Sequence, residues 1–266
     1  MSAPAPRPVD LWSIVRDEAA ALAAREPMLA DFLHANVLTR PGLGASLATL
    51  LAGKLAGDVL RGDSLRALID EAIAADPGIA EAAAADLRAL RERDPACKSY
   101  VTGLLFFKGY QALQSYRISH WLWGQGREGF AFMLNNRISE RFGVDIHPAA
   151  RIGRGILLDH GTGFVVGETA VIDDHVSLLH EVTLGGTGKE SGDRHPKIRR
   201  GVLVSAGAKI LGNIVVGEGA KVGAGSVVLH DVPAHCTVAG VPARVVGRCQ
   251  TSDPASQMDH RLDDPG

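Results

Sequence analysis

Three cysteines in 266 residues, Cys97, Cys236 and Cys249, are too few and too widely spaced for a disulfide framework or a cysteine-based zinc site. They fit reduced thiols. Long apolar runs are also missing. No stretch approaches the roughly 18 to 20 uncharged apolar residues of a membrane span, and the opening Met1-Ser2-Ala3-Pro4-Ala5-Pro6-Arg7-Pro8 lacks the apolar core of a secretory leader. The expected location is cytoplasmic, with no membrane partner. Neither sign of charge is in excess: 28 Lys and Arg stand against 30 Asp and Glu, a net charge of −2. No basic run is interleaved with aromatics, so no nucleic-acid surface is expected. Aromatics are scarce at 5%, but 46% hydrophobic and 22% charged residues describe a globular chain.

What is present divides the chain near residue 141. Residues 1–140 hold 5 valines and 11 glycines, whereas 141–249 hold 18 valines and 19 glycines. In the first part, alanine and leucine recur at three- and four-residue spacing, as in Leu11, Val15, Ala19, Leu22 and again Leu87, Leu90, which predicts five to seven amphipathic helices. Asp76-Pro77 reads as a helix start and Asp94-Pro95 as a helix end. The run Tyr100 to Trp123, which carries most of the aromatics, reads as a buried helix packing the two halves together.

The second part repeats with a period of six. Aliphatic residues open units at Ile146, Ile152, Leu158, Val166, Ile172, Leu178, Leu184, Ile198, Val204, Ile210, Val216, Val222 and Val228. Four places later in each unit stands a small or β-branched residue, from Ala150 and Ile156 through Thr162 and Gly188 to Val232. Six is neither the strand nor the helix period, so each unit is a short strand plus a corner, and three units close one coil of a solenoid. Thirteen units stack to a prism about 20 Å tall at one strand spacing per coil. Two insertions break the period: Phe164-Val165, and an eight-residue loop from Glu190 to Lys197 containing Asp193-Arg194-His195-Pro196. Loops projecting from a rigid scaffold commonly carry function.

These repeats occur together with Asp94-Pro95-Ala96, Val144-Asp145-Ile146-His147-Pro148-Ala149-Ala150, Asp159-His160-Gly161-Thr162-Gly163, Val165-Val166-Gly167-Glu168-Thr169-Ala170, Thr183-Leu184-Gly185-Gly186-Thr187-Gly188-Lys189, Gly192-Asp193-Arg194-His195-Pro196-Lys197 and Gly240-Val241-Pro242-Ala243-Arg244. In that combination the sequence resembles the serine O-acetyltransferases, hexapeptide-repeat acyltransferases, over about residues 10–246. The resemblance implies an α+β chain: an α-helical oligomerisation domain over 1–140 and a left-handed parallel β-helix over 141–249. The polar, acidic composition from Gln250 onward departs from the family and predicts a disordered tail over 250–266. The implied reaction is acetyl transfer from acetyl-CoA to the hydroxyl of L-serine, the first step of cysteine biosynthesis. Acetyl-CoA is a co-substrate there; no permanently bound cofactor and no metal is implied.

Such a transfer must remove a proton from a barely acidic alcohol, hold the acceptor, and stabilise a tetrahedral oxyanion. The resemblance assigns the base to His160 and its orienting carboxylate to Asp145. It sets Asp94 and Asp159 against the acceptor ammonium and Arg194 and His195 against the acceptor carboxylate. Gly186, Ala206, Lys221 and Ala224 are the expected contacts of acetyl-CoA. Neither Cys97 nor Cys236 sits in a nucleophile motif, so attack is expected to be direct, without a covalent enzyme intermediate.

Rival readings are an acetyltransferase for homoserine or a sugar, a noncatalytic scaffold, and a zinc carbonic anhydrase using His160, His175 and His180. The anhydrase needs three convergent imidazoles and leaves the Arg194-His195 loop unexplained. The resemblance further implies a homo-oligomer, a trimer or a dimer of trimers, inhibition by L-cysteine, and an interaction with O-acetylserine sulfhydrylase through a C-terminal isoleucine. Here the tail closes on Pro265-Gly266, so the apolar anchor is missing and that interaction is expected to be weak.

Overall fold

The computed structural model of the chain describes residues 10–188, 191–249, 251 and 253–262. Its first part folds as α1 (Leu11–Arg25), α2 (Ala30–Leu33), α3 (Leu43–Leu55), α4 (Gly62–Ala75), α5 (Gly78–Arg93), α6 (Tyr100–Phe106), α7 (Lys108–Gly124) and α8 (Glu128–Phe142). Leu11, Val15 and Ala19 of α1 and Leu87 and Leu90 of α5 are buried, each set forming the single inward stripe that their spacing dictates. The end of α5 falls at Asp94, where Pro95 disfavours helical backbone in the residue before it. At its start Pro77 takes the cap position, and the Asp76 carboxylate accepts the Gly78 N–H at 3.0 Å.

The aromatic run is two helices rather than one. Ser99 caps α6 by accepting the Thr102 N–H, and Phe107, extended at φ −87 and ψ 103, separates α6 from α7. The break lets Gly109 approach the solenoid, where any side chain would be driven into the Leu158 carbonyl.

Gly143, at φ 67, ends α8 in a left-handed cap, and the chain turns into β1 (Val144–Ile146). The coils that follow lay down strands on three faces of a prism. The first face holds β1, β4 (Phe164–Val166), β7 (Thr183–Gly185), β10 (Lys209–Leu211) and β13 (Val227–Val228). The second holds β2 (Arg151–Ile152), β5 (Val171–Ile172), β8 (Lys197–Ile198) and β11 (Val215–Val216). The third holds β3 (Leu157–Leu158), β6 (Ser177–Leu178), β9 (Leu203–Val204), β12 (Lys221–Val222), β14 (Cys236–Gly240) and β15 (Ala243–Arg248). All pairings are parallel except β14 with β15.

Register confirms the coil length. Val165 pairs with Thr183 and Lys197 with Val215, eighteen residues on in both cases. Across the insertions the offset grows: Asp145 pairs with Val165 and Val171 with Lys197. Every unit-opening aliphatic side chain is buried except Ile152, which is half-buried. Each fully buried one contributes about 1.5–3 kcal/mol. Two of the small-residue positions depart from the rule, because Thr162 and Gly188 are exposed. The insertions explain both. Phe164 fills the interior place in register with Val144, and Pro196, whose carbonyl accepts the Val171 N–H, continues the coil after the loop.

One buried ion pair joins the helices to the prism. Asp86 on α5 is fully buried and accepts from Arg117 at 2.7 Å, from Gln114 at 3.0 Å and from the Ile156 N–H at 2.9 Å. Arg117 on α7 also donates to the carbonyls of Ile152 and Gly153. Charged hydrogen bonds thus connect α5, α7 and the first coil.

The tail differs from the expectation of disorder. Residues 253–262 lie along the third face, beginning with α9 (Pro254–Gln257), whose Ala255 is fully buried. The Ala255 carbonyl accepts from Ser177 at 2.8 Å, His260 bonds Ser205 at 2.9 Å, and Lys221 donates to the carbonyls of Asp259 and Arg261. Polar composition did not leave this segment loose, because the solenoid offers it polar partners at each step. Gln250, Asp263, Asp264 and the closing Pro265-Gly266, on which the missing-anchor expectation rests, lie outside the described residues. No described helix is long and apolar enough to cross a membrane.

Replacing Asp86 by asparagine keeps the shape but strands Arg117 as an uncompensated buried charge. Urea denaturation should show a loss of about 3–5 kcal/mol, and a loss below about 1 kcal/mol would show that this pair is not the joint.

Candidate active site

The corners of a solenoid stack as three edges, and most of the residues singled out by sequence gather at two of them. On the edge between the third and first faces, the corner after β3 carries Asp159 and His160, and the corner after β6, one coil on, carries His180. Ala206 and Ala224 occupy the next two corners of the same edge. His160 adopts a left-handed backbone, φ 56, which throws its side chain outward to 72% exposure. Its Nε2 lies 3.8 Å from the Asp159 carboxylate, and its ring meets that of His180 edge-on, centroids 5.7 Å apart at 77°.

Asp94 reaches the same edge from the end of α5, where its own carboxylate accepts the Ala96 N–H at 2.8 Å. Burial raises the Asp159 carboxyl above its ordinary value. His160 and His180 oppose that rise, while the neighbouring Asp94 carboxylate adds to it. Two acidic groups in a half-buried corner make a seat for a cation, and the histidine stands beside it.

The second group occupies the edge between the first and second faces. Glu168 and Thr169 lie in the corner after β4, His147 in the corner after β1, and Gly186, Arg194 and His195 in the long corner between β7 and β8. Arg194 donates to Glu168 at 2.6 Å, and that hydrogen bond holds the Glu168 carboxyl below its ordinary value. His195 is buried against Gly167 with Nδ1 2.9 Å from the Thr169 hydroxyl. Desolvation, reinforced by Arg194, lowers its pKa. Gly186 lies beside His195, since a methyl there would come within 3.8 Å of the His195 Nε2. This loop presents a cation and a neutral imidazole, the complement of the first group.

Asp145 joins neither His160 nor the acidic pair. It projects outward from β1, its carboxylate accepts from Asn135 at 3.1 Å, and it makes no ion pair or hydrogen bond with His160. Within one chain the two are apart, because Asp145 points off the middle of the first face while the His160 ring leans toward the next coil. Lys221, on β12, is bonded to the tail carbonyls. His175 sits on the remaining edge, between β5 and β6, so one chain does not converge the three imidazoles of a zinc anhydrase. Among the described residues no group of three His, Cys, Asp or Glu is spaced to hold a metal.

Sequence reasoning missed His180 as a neighbour of His160, having paired it with His175. The coil period could have found it, because 160 plus eighteen plus the two-residue insertion is 180. Thr169, Glu168 and His147 were also passed over inside motifs that had been noticed.

Comparison with known proteins finds relatives over nearly the whole chain. The family model "Serine acetyltransferase, N-terminal" matches residues 11–115, and "Bacterial transferase hexapeptide (six repeats)" matches 195–230. A serine acetyltransferase of Salmonella typhimurium is 58% identical over 252 residues, 95% of this chain and 92% of that protein. A solved serine acetyltransferase in complex with cysteine superposes with a TM-score of 0.94 at 55% identity, covering 96% of this chain and 99% of that one. The Brucella abortus enzyme in complex with coenzyme A gives 0.89 at 50% identity, covering 90% and 96%, and the soybean enzyme complexed with serine 0.87 at 56%, covering 89% and 97%.

The seat of His195 has a direct test. Alanine at 167 would put its methyl into the imidazole. It should displace the ring, erase the Nδ1–Thr169 hydrogen bond seen by histidine NMR, and destabilise the chain by about 1–3 kcal/mol. An unchanged His195 signal would show that the loop is seated some other way.

Proposed function

Because this chain belongs to the serine acetyltransferases, acetyl-CoA-dependent acyltransferases, we propose that it transfers the acetyl group of acetyl-CoA to the hydroxyl of L-serine with His160 as general base. The observation that carries this reading is the convergence of Asp94, Asp159 and His160 at one corner. An amino-acid ammonium fits between the two carboxylates, and its short side chain then brings the hydroxyl to the imidazole.

His160 takes the hydroxyl proton as the serine oxygen attacks the thioester carbonyl. The resulting oxyanion collapses, the C–S bond breaks, and the coenzyme A thiolate recovers the proton from the imidazolium. The acceptor carboxylate falls to Arg194 and His195. In one chain these stand on a different prism edge from His160, so the site is completed between two copies, the third–first edge of one against the first–second edge of the next. Both edges border the first face, and a threefold arrangement around that face closes the set. The same reading makes the chain a homotrimer, doubled through its helical part.

Acetyl-CoA runs along the third–first edge past Ala206 and Ala224, with Gly186 facing it from the neighbour. Lys221 would exchange its tail carbonyls for the nucleotide. Asp145, whose Oδ1 accepts from Asn135, has a second oxygen to orient an imidazole. L-Cysteine keeps the ammonium and carboxylate of serine and competes for the same seat, and a serine acetyltransferase solved with cysteine supports this.

Thioester consumption should be fast with L-serine and slow with L-homoserine or a galactoside. His160→Ala should lower kcat about 10²–10⁴-fold with the acetyl-CoA affinity preserved, and Asp145→Asn should cost less. Because burial raises Asp159, acidification should weaken serine binding at a pH above that of an ordinary carboxylate. The loss appears as a rising KM for serine while acetyl-CoA still binds. Wild-type kcat in His160→Ala, or preference for a galactoside, would overturn the reading.

A further inference from the structure

We propose that Thr169 is a positioning residue for acceptor binding: it holds Nδ1 of His195 as a hydrogen-bond acceptor, so that the neutral ring carries its proton on Nε2 and offers that N–H to the acceptor carboxylate. The inference rests on the reading that sets this carboxylate against Arg194 and His195. Which nitrogen carries the proton decides whether the ring attracts or repels an anion, because in a neutral imidazole one nitrogen donates and the other accepts. The opposite tautomer would turn a lone pair on the substrate.

Two donors converge on Nδ1. The main-chain N–H of Thr169 donates to it at 3.2 Å, and the Thr169 hydroxyl lies 2.9 Å away. A main-chain N–H has no acceptor role to switch to, so Nδ1 must meet it with a lone pair. The hydroxyl gives the same answer. Its oxygen already accepts the Arg194 N–H at 3.0 Å and the His195 N–H at 3.1 Å, which occupies both lone pairs and leaves the hydroxyl proton for Nδ1. The Asp193 carboxylate also feels this hydroxyl, but Lys197 holds that carboxylate at 2.6 Å. Nε2 is placed differently. It lies over Gly167 and beside Gly186, where neither residue has a side chain to cover it, and among the described residues it has no hydrogen-bond partner.

One corner therefore prepares the whole anion seat. In Gly167-Glu168-Thr169 the glycine makes room for the ring, the Glu168 carboxylate takes the Arg194 guanidinium at 2.6 Å, and the threonine takes the main chain of the loop together with Nδ1. These three residues follow β4, which is paired with β1 on one side and β7 on the other. An inserted loop has no register of its own, and this one borrows its geometry from the coil before it. The charges around the ring agree with a neutral state: burial, Arg194, Lys197 and His147 oppose protonation, against Glu168, which favours it.

The test reads the His195 tautomer by histidine nitrogen NMR in wild type, Thr169→Val and Thr169→Ser, and compares L-serine with L-serinamide as acceptors on the same samples. L-Serinamide keeps the ammonium and hydroxyl of serine and lacks the carboxylate. Around neutral pH the wild-type ring should be the Nε2–H tautomer. Valine keeps the branched shape and the main-chain N–H but removes the hydroxyl, so in Thr169→Val the His195 signals should broaden or move toward a mixture of tautomers. The KM for L-serine should then rise about tenfold, while the acetyl-CoA KM stays within about twofold. The preference for L-serine over L-serinamide should shrink by about the same tenfold factor, since the loss falls on the carboxylate. Thr169→Ser keeps the hydroxyl and should restore both the signals and the preference. An imidazolium or an Nδ1–H tautomer in wild type would overturn the proposal. So would an unchanged preference in Thr169→Val, including equal losses with both acceptors, which mark general structural damage, or no recovery in Thr169→Ser. A wild-type enzyme inactive on L-serine would instead strike the functional reading, while the NMR comparison would still decide whether Thr169 sets the tautomer.

Discussion

The buried carboxylate of Asp86 is the constraint on which the rest of the molecule depends. It is fully removed from solvent, and its oxygens are shared among a guanidinium on α7, an amide side chain and a main-chain N–H of the first coil. A helix could pack on a solenoid face in many rotations, because apolar contact is non-directional. Charged hydrogen bonds to named atoms leave one. The consequence reaches the site: Asp94 caps the same helix two turns further on, so the docking of α5 fixes how close Asp94 comes to Asp159. Gly109 does the same for α7, bringing its first turn against the strand that leads into His160.

On the proposed reading, a prism with functional groups on two edges is completed by a second copy. Asp94, Asp159 and His160 offer an anionic seat and a base, while Arg194 and His195 offer a cation and an imidazole on another edge. Each half is stabilised internally: Arg194 by Glu168, His195 by Thr169, Asp159 by its histidine neighbours. Pre-set halves of opposite character can meet across an interface without rearranging, which keeps the ordering cost of assembly low.

The solenoid was legible because its rule is strict. One interior side chain per six residues leaves a pattern that no ordinary strand or helix imitates, and the buried series from Ile146 to Val228 follows it. Legibility failed where a residue answers to something beyond its own repeat. Thr162 and Gly188 were counted as interior although insertions hand their places to Phe164 and Pro196. The run from Tyr100 to Trp123 looked like one helix because helical propensity does not register the need for Gly109 to meet Leu158. The tail looked disordered on composition, but Ser177, Ser205 and Lys221 bind it from the third face. At the site, the motifs marked the right corners, yet only the coil register shows that His180 stands over His160 and that Asp145 is held by Asn135.

On the proposed reading, the chemistry occurs where two copies meet. Complementation between two inactive variants, His160→Ala and Arg194→Ala, reads this directly. Neither should turn over serine alone. Assembled together from mixed chains, they should regain about a quarter of wild-type activity, because one interface in four then pairs an intact His160 edge with an intact Arg194 edge. Mixed assemblies, verified as such and as inactive as either parent, would contradict the account and place the whole site within a single chain.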